Sequence, residues 1–290
     1  MHLDRPRFSF REELFAARPQ RADAVRFAGL WTAGVLEGLA QPTVAVVGPR
    51  APTAAARKRA FALAEALARA GACVVSGLAL GIDGAAHAGA LAGGGRTIGI
   101  LGGGHRQFFP RRNRELGLAM IVGGGAVLSP YAPDEPARPP QFLQRNGIVA
   151  ALADTVVIVE AAERSGALNT AGWAAALGID VLAYPGDVDA PKAAGCNALI
   201  RDGATLVRGP DDVLDAMGFA RRQSHAGPLP EPSDPLEAAI ARSLLAGPLD
   251  LDTLAETTRA PVGDVIAALV RLEVAGCVER HDAGVYARAH

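Results

Sequence analysis

The sequence contains few cysteines and no long apolar run. Only three of its 290 residues are cysteines, and Cys73, Cys196 and Cys277 lie too far apart to indicate a disulfide framework or a CxxC metal site. No apolar run reaches the roughly 20 residues that a membrane-spanning helix needs. Residues 1–20 carry Arg and Glu where a signal peptide needs an apolar core. These absences predict a soluble protein of the reducing cytoplasm, without a membrane partner.

Excess charge is absent as well. The chain has 29 basic and 30 acidic residues, a net charge of −1, which disfavours a protein coated in positive charge but permits a local basic site. Only Lys58 and Lys192 are lysines, so nearly all the basic residues are arginines. Arginine binds phosphate through paired hydrogen bonds that lysine cannot form. A GC-rich genome would produce the same bias without any functional cause.

The common catalytic and nucleotide-binding signatures are missing. No GxxxxGK[ST] occurs, no GxGxxG follows the first predicted strand, and HExxH, GxSxG and paired-carboxylate motifs are absent. An ATPase or an NAD-dependent dehydrogenase is therefore disfavoured. Asp83 and His87, spaced i, i+4, are predicted to be structural, although that spacing also suits acid-base chemistry. We predict no catalytic residue, no metal site and no cofactor.

What the sequence does contain is 34 glycines and strand-like runs that alternate with Ala/Leu-rich helical stretches. This alternation predicts an α/β fold with a doubly wound, mostly parallel sheet covered by helices on both faces. Thr53 is predicted to cap a helix that runs to about Ala70 and ends at Gly71. The predicted strands are residues 44–47, 73–75, 97–101, 126–128, 155–159, 181–183 and 205–207.

A change of composition after Phe219 predicts a second, small domain. Residues 219–234 form a polar, Pro-rich linker, and residues 235–290 read as three short amphipathic helices followed by a hairpin, a pattern typical of a winged helix. Residues 1–40 are interpreted as a lead-in segment in which residues 29–31 could form a strand, and residues 41–218 as the main domain.

Charge divides unevenly between these parts. Residues 1–230 carry 24 basic and 20 acidic residues, whereas residues 231–290 carry 5 and 10. A winged helix that binds DNA should be basic along its recognition helix, yet the predicted helix at 262–275 contains Asp264, Arg271 and Glu273. The winged helix is therefore predicted to serve protein contact or regulation, and a transcription-factor function is disfavoured.

Two loops at predicted strand-to-helix junctions could bind an anion. They are residues 48–50 and 76–83, where exposed backbone N–H groups and the positive end of a helix dipole meet. Arg50 stands at the first junction, at the crevice edge where such sheets bind ligands. We predict an anion contact for Arg50, against the alternative of a surface arginine without a ligand.

Two segments combine arginines with aromatic residues. Residues 105–114 contain four arginines, no acid, and Phe108 and Phe109; residues 141–146 contain Phe142, Arg145 and Asn146. Single-stranded nucleic acid is bound by such combinations, because arginines contact phosphates while rings stack on bases. A solvated charged turn and an ordinary helix start are the respective alternatives.

Taken in order, these motifs closely resemble the DNA-processing protein A family (DprA/Smf). The resemblance extends from about residue 25 to 218, and the acidic winged helix resembles the common C-terminal domain of that family. The motifs that carry it are VAVVGPR at 44–50, VSGLALGID at 75–83 with Ala86-His87, FLQRN at 142–146, VEA at 159–161 with SGALNTA at 165–171, and PG at 185–186 with GCNALI at 195–200.

The resemblance implies sequence-independent binding of single-stranded DNA on an extended Rossmann-like fold. It further implies a homodimer that protects incoming DNA and loads RecA during natural transformation, without catalysis and without a cofactor. Within it, Arg50 and the backbone of the two loops would hold phosphates, and Phe142, Arg145 and Asn146 would lie beside bases and backbone. The implied DNA-binding residues are Gly48, Arg50, Ser76, Gly77, Gly81, Arg112, Phe142, Arg145, Asn146, Ser165 and Gly166.

Several positions depart from the family pattern. Pro49 stands where members usually have serine, and Leu80, Gln144 and Gly147 stand where they often have arginine. At least three potential phosphate contacts are lost, which predicts weaker and less salt-dependent binding unless the arginines at 106–114 compensate.

The rival interpretation is an enzyme. Related phosphoribohydrolases that cleave nucleoside monophosphates carry a Pro-Gly-Gly-x-Gly-Thr loop and a catalytic glutamate. Residues 163–170 read ERSGALNT here, so this alternative loses its main support.

Overall fold

The computed structural model describes residues 3–24, 27–218, 234–244, 249–274, 277–280 and 285–288. The chain divides into two units, Met1–Met217 and Gly218–His290. Apart from residue 234, the predicted linker at 219–234 lies outside the described residues.

The described part of the first unit contains a nine-stranded sheet, in the order β1-β2-β6-β5-β4-β3-β7-β8-β9. The strands from β6 to β9 in this order are parallel to one another. Strand β2 is antiparallel to both of its neighbours, β1 and β6. The strands are β1 Arg7–Phe10, β2 Gly29–Gly34, β3 Thr43–Val47, β4 Cys73–Ser76, β5 Thr97–Ile100, β6 Ala126–Ser129, β7 Thr155–Ile158, β8 Asp180–Ala183 and β9 Thr205–Leu206.

The predicted α/β fold is confirmed, and each predicted strand is present. The central strands β3 and β7 are buried along their whole length, as expected for parallel strands covered by helices on both faces. The α-helices of this unit are α1 Arg11–Leu14, α2 Ala54–Arg69, α3 Ile82–Ala92, α4 Arg114–Val122, α5 Pro139–Ala151, α6 Gly166–Ala176, α7 Ala194–Arg201 and α8 Pro210–Ala216.

The segment expected as a lead-in, residues 1–40, extends the sheet. Strand β1 pairs with β2, and β2 pairs with the parallel strand β6. Strand β1 is mostly exposed, and β2 begins and ends with glycine, so neither shows the continuous apolar pattern of the central strands. The possible strand at 29–31 is therefore part of β2, whose pairing with β6 places both strands in the sheet.

The ends of α2 and the loop before it are fixed by side chains. The hydroxyl of Thr53 caps α2 by accepting a hydrogen bond from the Ala56 N–H at 3.1 Å. Glu160, at the end of β7, accepts from the Thr53 N–H at 2.9 Å, so this lone acid has a structural contact. Gly71, with φ +90°, follows the helix as predicted.

The strand order reverses between β3 and β7, because β3 continues to β4 on one side and β7 continues to β8 on the other. A parallel sheet binds ligands beyond the carboxyl ends of its strands at such a switch point. The loops after β3 and β7 and helix α5 meet at this edge.

The second unit forms its own small core. Helices α9 Pro235–Ser243, α10 Leu251–Thr258 and α11 Val262–Val274 pack with a three-stranded antiparallel sheet of β10 Leu249–Asp250, β11 Val278–Arg280 and β12 Val285–Arg288. The predicted winged helix is thus confirmed, while the turn at 281–284 lies outside the described residues. Among the described residues, no helix is long and apolar enough to cross a membrane.

Candidate nucleic-acid interface

A pocket of about 350 Å³, here called the switch-point pocket, opens at the carboxyl edge of β3 and β7. It brings together seven of the predicted binding residues: Gly48, Arg50, Phe142, Arg145, Asn146, Ser165 and Gly166. Pro49, Ala79 and Asp83, from the two predicted anion-binding loops, also line it, and the sequence indicated none of the remaining lining residues, Val47, Leu143, Ala167 and Thr170. Most of these are small or apolar side chains that carry no chemical signal in a sequence.

Arg50 and Phe142 form the exposed part of the pocket. The Arg50 guanidinium carbon lies 4.6 Å from the centroid of the Phe142 ring, within range of a cation–π contact. Phe109, half exposed, lies 6.0 Å from Phe142 between ring centroids. Arg50 has no acidic partner in the described part of the chain. A cation and two aromatic rings therefore face solvent side by side.

Arg145 forms the buried part of the pocket. Arg145 is only 4% exposed, and its Nη1 lies 3.9 Å from the Asp83 carboxylate. Its Nε has no hydrogen-bond partner among the described residues. Burial lowers the pKa of Arg145 and raises that of Asp83, and each charge partly offsets the shift of the other. Arginine nevertheless stays protonated. The pocket thus contains a buried cation whose ion pair with Asp83, at 3.9 Å, is long and leaves its charge incompletely neutralised.

The N-terminus of α6 forms the opposite wall. Ser165 caps this helix by accepting from the Ala167 N–H at 3.2 Å, and Gly166 leaves open space where a side chain would stand. Asn146 donates from Nδ2 to the Gly166 carbonyl at 3.2 Å and to Asn169 Oδ1 at 3.3 Å. Asn146 therefore fixes the start of α6, whose positive dipole end faces the pocket.

Two of the predicted contacts, Ser76 and Gly77, are buried, whereas Gly81 lies beside Pro49 and stays a predicted contact. Ser76 is fully buried and donates to the Val46 carbonyl at 2.7 Å. Gly77 lies beneath Arg145, where a Cβ would stand 1.5 Å from Nη1. Gly81, with φ +85°, would bring a Cβ within 2.3 Å of the Pro49 carbonyl. The expected direct phosphate contacts of Ser76 and Gly77 are corrected accordingly: these residues support the pocket from below.

Asp83 and His87 have structural contacts, as predicted. Asp83 accepts from the Ala79 N–H at 3.3 Å. The Thr97 hydroxyl donates to the Val74 carbonyl, so His87 Nδ1 must donate to Thr97 Oγ1, at 2.7 Å. Burial, together with the charge of Arg145, lowers the pKa of His87 to about 3. A fully buried, neutral His87 is not placed to exchange protons with a ligand.

The arginine cluster at 105–114 is divided by its surroundings. Arg106 is paired with Asp134, Arg114 bonds Asp4 at 2.8 Å, and Phe108 is buried. Phe108 is therefore not available to stack on a base, while the contribution of the arginines to DNA binding stays a prediction. Arg112 keeps no acidic partner in the described part of the chain and lines a second cavity next to the pocket, which Gly81 also lines.

The positions that depart from the family pattern have ordinary surroundings. Pro49 lines the switch-point pocket, and Leu80 is 38% exposed beside it. Gln144 accepts from the Tyr131 hydroxyl at 2.9 Å, and Gly147 faces Trp173. Their effect on DNA affinity stays a prediction.

The model of the family described as DNA recombination-mediator protein A matches residues 14–218, and that of the DprA winged helix domain matches residues 224–284. The chain belongs to the DprA family. It is 41% identical over 263 residues to the putative DNA processing protein DprA of Mycobacterium tuberculosis (strain H37Rv), which covers 87% of this chain and 67% of that protein. It is 35% identical over 256 residues to protein Smf of Escherichia coli (strain K12), with 86% and 68% covered.

Two solved structures of family members are similar. The X-ray structure of DprA from Streptococcus pneumoniae has a TM-score of 0.61 and 40% identity, covering 65% of this chain and 66% of that one. DprA from Helicobacter pylori, whose structure describes a single-stranded DNA binding mode, has a TM-score of 0.61 and 29% identity, covering 67% and 90%. The chain spans about two thirds of the length of the curated relatives and of the pneumococcal protein.

Proposed function

We propose that this protein is a recombination mediator that binds single-stranded DNA in the switch-point pocket without preference for base sequence. The observation that carries the proposal is the meeting of three anion-attracting groups in one pocket. They are the incompletely neutralised Arg145, Arg50, which has no acidic partner among the described residues, and the N-terminus of α6. The single-stranded DNA bound by the Helicobacter pylori relative supports the same assignment.

Each group has a role that follows from its chemistry. Arg50, Arg145 and the backbone of Gly48, Ser165 and Gly166 contact phosphates, whose charge is the same at every nucleotide. Phe142, with Phe109 beside it, stacks on bases through a face that every base possesses. Stacking and phosphate contact both ignore base identity, so binding is independent of sequence. A duplex keeps its bases paired and stacked, so it cannot use the rings.

Membership of the DprA family supports a proposal for the biological role. We propose that the protein acts in the cytoplasm as a homodimer that protects incoming single-stranded DNA and loads RecA onto it during natural transformation. Contacts dominated by phosphates can be exchanged one at a time, which suits a protein that must pass its strand on.

The winged helix is assigned to protein contact. Along α11, Val262, Ile266 and Val270 are exposed at helical spacing. Arg271, on the same helix, bonds Glu237 at 2.5 Å. This surface is apolar rather than basic, which fits a protein partner better than a DNA groove.

Replacing Arg50 with glutamine tests the proposed site. We expect affinity for oligothymidylate to fall about tenfold, and the slope of log K against log salt to become shallower by about 0.7, the value for one lost phosphate contact on a single strand. Fluorescence anisotropy at several salt concentrations, with duplex DNA of equal length for comparison, measures both.

Arg201→Gln is the matched control, because Arg201 is an exposed arginine outside the pocket that bonds only its neighbour Asp202. Equal losses in the two variants, or equal affinity of the wild type for duplex and single strand, would contradict the proposal.

A further inference from the structure

A second cavity, of about 960 Å³, lies between α2 and the start of α4, and is here called the α2–α4 groove. Helix α3 lies between them and contributes only glycine and alanine from its middle turns to the lining. Arg57, Lys58 and Phe61 line the groove from α2, and Arg112 lines it from the other side. The sequence alone indicated none of the three α2 residues, because charged residues on a helix usually mark a solvated face.

The groove is lined by cations without acids. Arg50, Arg57, Lys58 and Arg112 all contribute, and none of the lining residues is Asp or Glu. In the described part of the chain, none of these four cations has an acidic partner. Other surface arginines do have one: Arg7, Arg106, Arg114, Arg201 and Arg208 are each paired with a carboxylate.

Like charges gathered in a concave surface repel one another and concentrate a positive potential there. This arrangement is costly without a counter-ion and favourable with a polyanion. The groove therefore has the electrostatic character of a polyanion site, although the net charge of the whole chain is −1.

Apolar surface accompanies the cations. Phe61 is 37% exposed and Leu80 is 38% exposed, and both line the groove. An inorganic anion has no use for apolar surface, whereas a single strand presents base faces between its phosphates. The combination favours a single-stranded nucleic acid over a small anion.

Arg50 lines both the α2–α4 groove and the switch-point pocket. A strand that occupies the pocket and passes over Arg50 therefore enters the groove. We infer that the groove binds the backbone of that same single strand, with Arg57, Lys58 and Arg112 as phosphate contacts, so that the DNA footprint is longer than the pocket. This inference rests on the proposed function.

The test is a double variant, Arg57→Gln with Lys58→Gln, measured against a series of oligothymidylates of increasing length. On the shortest oligonucleotide that the wild type binds, we expect unchanged affinity, because the pocket is intact. On long oligonucleotides we expect about tenfold weaker binding and a salt slope shallower by about 1.4, the value for two lost phosphate contacts. Both substitutions are on exposed side chains of α2, and thermal unfolding monitors the fold.

Two control variants separate position from charge. Arg57→Lys with Lys58→Arg keeps both charges in the groove and should bind long strands like the wild type. Arg69→Gln with Arg201→Gln removes two charges outside both cavities, each from an exposed ion pair. The affinity of this variant relative to the wild type should be the same at every oligonucleotide length.

Two outcomes would overturn the inference alone: the Arg57/Lys58 glutamine variant binds like the Arg69/Arg201 control at every length, or its loss is equal on the shortest and longest strands. A wild-type protein that binds no oligothymidylate of any length would overturn the proposed function together with the inference.

Discussion

Replacing Arg145 with methionine is expected to lower the free energy of unfolding by about 3 kcal/mol and to remove most of the affinity for single-stranded DNA. Asp83, which is 5% exposed, would lose the only cation near it in the described structure. Removing one member of a buried ion pair leaves an uncompensated charge, and this is what makes such substitutions costly. Burial already raises the pKa of Asp83, and loss of Arg145 would raise it further.

A second variant separates stability from binding. Asp83→Asn combined with Arg145→Met removes both charges, so we expect it to regain much of the lost stability, because an apolar replacement of a buried pair is often close to neutral. It should not regain DNA affinity, since the cation in the pocket is still missing. Urea unfolding and fluorescence anisotropy on the same preparations measure the two effects.

Wild-type DNA affinity in the Asp83/Arg145 double variant would show that Arg145 has no part in binding. Wild-type stability in Arg145→Met alone would contradict the ion pair as described.

Replacing Arg18 with methionine is expected to lower the free energy of unfolding by about 1 to 3 kcal/mol, because the buried Leu39 carbonyl and Thr43 hydroxyl lose a hydrogen-bond donor. Arg18 is 6% exposed and donates to both oxygens of Asp154, at 2.7 and 2.5 Å. It also donates to the Leu39 carbonyl at 2.8 Å and to the Thr43 hydroxyl at 2.9 Å. These bonds join the N-terminal segment to β3 and to the turn before β7.

Asp154 supplies a pH signature for this prediction. Burial would raise the pKa of Asp154, but the hydrogen bonds from Arg18 and Thr43 outweigh burial and lower it below 3.8. A carboxylate with a lowered folded-state pKa contributes stability above its unfolded pKa and loses it as the pH falls through the folded value. We expect this acid-sensitive contribution, measured by urea unfolding from pH 7 downward, to shrink in Arg18→Met.

The control is Arg69→Met, which breaks an exposed i, i+4 pair with Glu65 and should cost well under about 1 kcal/mol. Arg18 lies at the opposite end of the strands from the pocket, so folded Arg18→Met should bind DNA like the wild type. A variant as stable as the control would contradict the anchoring role of Arg18.

The fold could be predicted where burial leaves a continuous apolar run. Strands such as β3 and β7 are covered on both faces, so nearly every residue is apolar and the pattern is visible locally. For β1 and β2, the sequence indicated only a possible strand at residues 29–31, because the pairing of β2 is with a strand distant in sequence. The partner of β2 is β6, nearly a hundred residues along the chain, and β1 joins the sheet only through β2.

The site could be predicted where the fold class alone brings segments together. Loops after parallel strands meet at one edge, which places Arg50 near Gly166 although they are far apart in sequence. Which arginines are paired with carboxylates could not be predicted, because the partners are distant in sequence. Arg106 and Arg114 are paired with Asp134 and Asp4, which lie 28 and 110 residues away. Ser76 was misplaced because the strand β4 includes it, which turns its hydroxyl into the sheet.

Photo-cross-linking tests the central claim most directly. An oligothymidylate with photoreactive halogenated uracils would be irradiated with the full-length protein, and the adducts mapped by mass spectrometry. We predict adducts on Phe142 or Phe109, where the rings lie beside Arg50, and their loss when unlabelled single-stranded DNA competes. Adducts confined to residues 234–288, with none on the residues that line the switch-point pocket, would contradict the account.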